Sequence, residues 1–333
     1  MAHEIFGERF LDNRQPAWHG IGQVVHEPVG ALEGLERIGI YDVERRPVFT
    51  YDDAGELIEI PFKALHRPAT EDAEQETWNV VTEDYSLVTP ADFCRMWDEH
   101  VAQPVETIGA IRSGKQLFIT TELPQFSVKG DEMKNYLMAL NGMDGRHGAQ
   151  VVVTPVRAVC TNTVRLSLKL ASETHVIQHT AGAHLRLAQW MRHCYETAEA
   201  KTAVIKEACE LLASTKATKA KLTHVIEVAY PMPKEVDPSL PKEIREKREE
   251  YFDRWVSITN HRRETAHALF AGAGTGMDTD AAKGTLWGVY NAVIESEDFR
   301  KGGPEETRAA SLLTGDRAAI KVRAFNAALA LAN

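Results

Sequence analysis

No apolar run in this chain approaches the roughly 20 residues that a membrane-spanning helix needs. Cysteine is scarce. There are four among 333 residues, at Cys94, Cys160, Cys194 and Cys209, and no two form a Cys-x-x-Cys pair. That excludes a zinc ribbon and a disulfide scaffold, and it fits buried thiols in a reducing cytoplasm. No Gly-x-Ser-x-Gly, no His-Glu-x-x-His and no Walker lysine–serine pair occurs, so three common routes to hydrolysis have no anchor. Internal repeats and low-complexity tracts are missing too. The opening residues, MAHEIFGERFLDNRQPAWHG, mix acids with bases and lack the apolar centre of a secretory signal. What remains is 44% hydrophobic and 26% charged, the composition of a soluble globular chain.

The net charge of −10 is unevenly spread. Residues 1–149 carry 13 basic against 26 acidic side chains, a balance of −13. Residues 150–225 carry 10 against 5, a balance of +5. An acidic first half argues against indiscriminate nucleic-acid binding. A basic middle can still form a local groove, because fields act over about 8 Å at physiological salt. The centre of that region is Val151–Ala171, VVVTPVRAVCTNTVRLSLKLA, a β-branched run with no acid and with Arg157, Arg165 and Lys169 spaced along it. The plainer reading is the solvated face of helices.

Hydrophobic periodicity sets the organisation. Residues 1–30 read as an irregular arm and 31–38 as a short helix. Two hairpins follow, 45–51 with 56–65 around Asp52-Asp53-Ala54-Gly55, and 106–112 with 115–123 around Ser113-Gly114. Residues 78–89 read as two short strands, with a helix opening at Pro90. Strands are expected at 136–141, 149–159 and 174–179, and a short helix at 161–171. One long helix starts near Ala183 and fades into the basic stretch STKATKAK at 214–221. Four prolines within 230–241 mark a linker. Helices are expected at 242–270, with Ile244, Tyr251, Trp255, Ile258 and Leu269 as an apolar stripe, then at 280–295 and 307–332. The fold class is therefore α+β: an antiparallel, hairpin-rich sheet with a long packing helix, then an all-helical C-terminal region. The domains are a core at 1–229 with its N-terminal arm, the linker at 230–241, and helices at 242–333.

Candidate chemistry comes in four kinds. His175, His179 and His184, with His193 and Cys194 beyond, have metal-like spacing, but zinc needs three or four converging ligands. Cys160 sits at a strand end, where a packing thiol is the simpler reading. Gly272, Gly274 and Gly276 resemble a phosphate loop, yet they follow a helix and act as its stop. Cations suited to a nucleic-acid backbone are Arg112 and Lys115 flanking a tight turn, then Arg157, Arg165 and Lys169, then Lys216, Lys219 and Lys221. Trp78, Tyr85 and His147 are possible stacking surfaces, and Asn162 can position the turn or touch a base or sugar. No residue emerges as catalytic, and no cofactor is implied.

Trp18–Gly22 (WHGIG), Val153–Asn162 (VTPVRAVCTN), His179-Thr180 and Gly284–Val293 (GTLWGVYNAV) occur in one order over most of the chain. Together they resemble phage- and plasmid-borne proteins carrying domain of unknown function 932, found in actinobacterial phages and laterally transferred islands. The acidic stretch Ile294–Asp298 departs from the family's usual tail. The resemblance implies a mobile-element protein of the bacterial host cytoplasm and no inherited catalytic role. Such elements encode single-strand annealing proteins, to which the order of hairpins, basic segment and long helix is similar in outline. The expectation is a self-associating, single-stranded-DNA-binding protein that works without ATP. Its site would be Arg112, Lys115, Arg157, Asn162, Arg165 and Lys169. The alternatives are a structural or host-interaction protein docking through its acidic first half, or a metal-dependent enzyme using His175 and His179.

Overall fold

The alternating segments fold as two sheets, and a computed structural model describes them for residues 5–13, 23–39, 41–71, 73–157, 176–299 and 315–333. The N-terminal arm contains strands, against expectation: β1 (Ile5–Asn13) and β2 (Gln23–Val25) pair parallel. After α1 (Ala31–Arg37), the first hairpin is β3 (Glu44–Tyr51) and β4 (Leu57–Arg67), and β5 (Glu76–Thr82) joins it as a three-stranded antiparallel sheet. Residues 78–89 do not make two strands. The chain turns after Thr82, whose carbonyl accepts the Tyr85 N–H, and then runs to α2 (Pro90–His100). There Thr89 and Asp92 form a reciprocal capping box, with Pro90 in the first turn.

The second hairpin is β6 (Thr107–Ile111) and β7 (Gln116–Val128). It continues into β8 (Asp131–Gly142) and β9 (Gln150–Arg157). The large sheet has the order β2-β1-β6-β7-β8-β9. Within it Gly109 is obligatory, because a Cβ there would lie 2.8 Å from both the Phe10 and Phe118 rings. The expected strand at 174–179 reduces, in its described part, to one bridge between Ile177 and Ala149. The expected helix at 161–171 lies outside the described residues, as does Cys160.

The long helix is two helices, α3 (Ala183–Glu196) and α4 (Ala198–Ser214). They part at Thr197, whose hydroxyl bonds back to the His193 carbonyl at 2.6 Å. The basic stretch after α4 starts a third helix, α5 (Lys219–Ala229), because Thr218 caps it through the Lys221 N–H. Residues 231–241 are irregular, as four prolines demand. α6 (Lys242–Ala268) ends in a π-helical turn (Leu269–Ala273), which closes at Gly272 with φ +125. α7 (Leu286–Asp298) starts at its Thr285 cap, six residues later than expected, and α8 (Asp316–Ala332) closes the chain.

Two large cores hold these elements, and a smaller cluster of Phe10, Ile111, Phe118, Met138 and Leu140 stands apart from both. One buries the inner face of the large sheet (Leu11, Ile108, Leu117, Ile119, Leu137, Val151) under Leu35, Phe93, Trp97, Leu187, Met191 and Cys194 of the first three helices. The other gathers Phe126, Val128 and Met133 of β7–β8 with α4, α5, α7 and α8. Residues on both sides of the proline-rich segment thus share one core. Trp287 of α7 donates its indole N–H to Asp131 of β8 at 3.0 Å, across that same joint. The segment at 230–241 therefore connects neighbours within a core instead of separating two. The stripe on α6 also differs from expectation: Ile244 and Tyr251 are exposed, and only Thr259 and Ala266 are buried on that helix.

Candidate nucleic-acid interface

The turn between β6 and β7 is tight. Arg112, Ser113 and Gly114 all have positive φ, at 55°, 57° and 85°. Lys115 does not reach into solvent as a bare cation. Its ammonium sits 2.8 Å from a Glu76 carboxylate oxygen. Burial would raise the Glu76 carboxyl, but the bond from Lys115 and the charges of Lys115 and Arg67 hold it below the usual carboxylate range. Arg112 is half-buried, with its Nε unpartnered.

Arg157 ends β9 opposite Met133, whereas Gln116, next to Lys115, lies opposite Gly142. Met133 and Gly142 are nine residues apart on β8, so Arg157 and the turn are separated by about 30 Å at ~3.3 Å per residue. The structure does not bring these cations together. Asn162, Arg165 and Lys169 lie outside the described residues, as does His175.

The other candidates are mostly engaged within the fold. Lys221 donates to the Leu331 carbonyl at 2.7 Å, while Lys216 and Lys219 are exposed. Trp78 packs against the first core, and the Tyr85 ring lies 5.3 Å from that of His179. His147 bonds through Nδ1 to Asp144 at 2.8 Å. Burial would raise the Asp144 carboxyl, but His147 and the N–H groups of Arg146 and His147 keep it below the usual range. His179 is buried, and its desolvation lowers the imidazole below its ordinary value. Among the described residues no group of three His, Cys, Asp or Glu side chains converges as a metal site. The glycine loop holds a protein carboxylate: the Thr275 N–H lies 3.0 Å from a Glu295 oxygen. Cys94, Cys194 and Cys209 are free and buried, and burial pushes the Cys94 and Cys209 thiols up.

A different constellation comes together on α3. Leu187, Met191 and Cys194 face the core. One step round the helix, Arg186, Gln189, Trp190 and His193 follow the i, i+3, i+4, i+7 pattern and share a face. With Val176 and Gln178 they line an open groove of about 500 Å³. The Trp190 and His193 rings stack with centroids 5.2 Å apart and planes 30° from parallel. The Lys201 ammonium lies 5.1 Å from the Trp190 ring centre, a cation–π contact that continues the stripe. The Arg186 guanidinium is anchored by the carbonyls of Ala181 at 2.6 Å and Gln178 at 3.2 Å, and by the Thr180 hydroxyl at 2.8 Å. These are neutral acceptors, so its charge is not cancelled. Among the described residues no carboxylate lines the groove, and the sequence has no acid between Glu173 and Glu196.

The sequence reading used His193 only as a metal candidate and passed over Trp190 and Arg186. The available signal was an aromatic beside the core stripe of an amphipathic helix, inside an acid-free stretch; Trp190 packs partly against the first core.

Fold and groove define an α+β protein with an aromatic, cation-bearing helix face. The model of a family described as Domain of unknown function (DUF932) matches residues 77–323, and the chain belongs to this family. The matched residues run from within β5 into α8 and leave β3 and β4 outside. No curated protein and no solved structure matches the chain. No helix among the described residues is long and apolar enough to cross a membrane.

Proposed function

We infer that this protein binds single-stranded DNA along the α3 groove. The observation that carries the reading is the stacked Trp190–His193 pair in a groove lined by Arg186, with Lys201 against the Trp190 ring and no carboxylate among the described lining residues. Bases stack on aromatic faces at about 1–3 kcal/mol each whatever their identity, and cations track the phosphates. Arg192, exposed on α3 beside His100, adds charge at the margin. Arg112, Lys115 and Arg157, with Asn162, Arg165 and Lys169, would make outlying phosphate contacts on a longer strand. The activity this supports is passive strand holding or annealing, without ATP, in recombination or replication of a mobile element in bacterial cytoplasm.

The test is an oligonucleotide titration read by anisotropy and by tryptophan fluorescence. Stacking on Trp190 should quench emission, and Trp190→Phe should lose that component. Arg186→Ala with Lys201→Ala should weaken binding and flatten the salt slope by roughly 1–2. An affinity that is absent at low salt, or present and insensitive to all of these changes, refutes the reading. A duplex and an RNA of the same length separate strand state from sugar identity.

A further inference from the structure

We propose that two copies of this chain pair antiparallel through the edge of β3 that no other described strand covers, across a two-fold axis at Phe49. The proposal stands apart from the nucleic-acid reading.

β3 is an edge strand of the small sheet, and seven of its eight residues are exposed. The hairpin it forms with β4 is unusually apolar for a solvated arm. Phe49 is 51% exposed, Tyr51 70%, Leu57 63% and Ile58 46%. Phe49, Tyr51 and Leu57 share one face of the ribbon, and Ile58 is on the other with Val48 and Ile60, by the cross-strand register. Sheet edges of this kind are templates for another strand.

The charge along β3 identifies the partner. Arg45 and Arg46 stand at one end, residues 47–51 are uncharged, and Asp52 and Asp53 follow at the other end. This order is complementary to itself when reversed. An antiparallel register with Phe49 opposite its own copy places Arg46 opposite Asp52, twice over, just past the end of β3, where Asp52 Oδ1 also accepts the turn N–H groups of Ala54 and Glu56. A parallel register would oppose like charges. Arg46 pairs with the half-exposed Glu44, an ion pair cheap to exchange. Arg45 reaches the other way, to the carbonyls of Glu83 and Tyr85 beyond β5, and takes no part in the pairing.

The backbone agrees. The Asp52 N–H bonds Glu56 within the hairpin, so by antiparallel alternation the N–H and C=O of Phe49 and Tyr51 point to the free edge. Pro47 has no N–H to give, but its carbonyl still accepts from Tyr51 of the second copy. Phe49 would meet Phe49, a favourable aromatic cross-strand pair. An eight-residue edge falls short of the roughly 1,000 Å² of a stable interface, so the dimer should be weak and concentration-dependent.

Sedimentation velocity on the full chain over a wide concentration range reads the assembly, and crosslinking reads the register. The wild type should pass from monomer to dimer as concentration rises. Phe49→Glu, at an exposed position, should remain monomeric with an unchanged circular dichroism spectrum. Phe49→Cys should form an intermolecular disulfide under mild oxidant, because facing Cα atoms about 5.5 Å apart allow one. Tyr51→Cys, which would face Pro47 of the second copy, should crosslink much more slowly. A wild type that stays monomeric up to about 1 mM, the weak end of specific association, overturns the proposal. So does a dimer indifferent to Phe49→Glu, or equal crosslinking from positions 49 and 51.

Discussion

Replacing Trp287 with Phe tests whether the sheet and the C-terminal helices unfold as one unit. Trp287 is fully buried, and its indole N–H meets the Asp131 carboxylate, itself 1% exposed. The phenyl ring keeps most of the apolar contact, including the edge toward Tyr290 and, beyond it, Phe325. What is lost is a hydrogen bond to a buried charged group, worth about 1.5–3 kcal/mol. The smaller ring adds a cavity term, with complete truncation of a buried Trp costing about 3–5 kcal/mol. The expected loss is therefore about 2–4 kcal/mol.

Urea unfolding followed by far-ultraviolet circular dichroism and by fluorescence measures it. Because one core contains Met133, Ile205, Leu212, Trp287 and Phe325, both probes should shift to a lower midpoint together, with the slope unchanged. A domain boundary within 230–241 would instead give two transitions, of which only the helical one moves. A loss below about 1 kcal/mol, or a biphasic curve, refutes the single-unit reasoning.

Two further predictions concern buried charge. Lys321 is 0% exposed and bound to Asp298, so Lys321→Met should cost about 3–5 kcal/mol by stranding a carboxylate, and adding Asp298→Leu should recover most of it in the same urea assay. Because burial lowers the folded His179 and His66 imidazoles, the unfolded state binds more protons just below their ordinary value of 6.5; stability should fall as pH drops through that range, and thermal melts of His179→Gln should lose the His179 share of that dependence. Asp92 and Asp144, also lowered, add a separate loss only as pH falls through and below about 4.

The hairpins were legible because period-two alternation met unambiguous turns. Asp52–Gly55 and Arg112–Lys115 sit at the two hairpin tips. The capped start of α2 was legible for the same reason, since Thr89, Pro90 and Asp92 each satisfy a local requirement. The break between α3 and α4 was not, because neither glycine nor proline marks it. It depends on the Thr197 hydroxyl turning back to His193, which a periodic apolar pattern passes over. α5 was hidden by composition: three lysines in STKATKAK suggest a solvated tail, while Thr218 and a bridge from Lys216 to Thr285 make it a packed helix. Two of the candidate cations, Arg157 and Lys115, lie apart for a geometric reason. Spacing along a sequence does not reveal that Arg157 and Lys115 sit near opposite ends of one long ladder.

The α3 face shows how one periodic pattern serves two ends. With 3.6 residues per turn, Leu187, Met191 and Cys194 occupy the inward stripe, and Arg186, Trp190 and His193 are displaced by about 100° or less from it. Truncating an inward residue such as Leu187 opens a cavity and costs about 2–5 kcal/mol. Arg186 and His193 are exposed, so changing them leaves the core packing intact and falls within about 0.5 kcal/mol. Core stability and the proposed strand contact therefore rest largely on different residues of the same 14-residue helix, with Trp190, packed partly against the first core, shared between them. A variant at Arg186 or His193 that loses oligonucleotide while keeping its melting temperature reports on the groove, whereas one at Leu187 that loses both reports only on the fold.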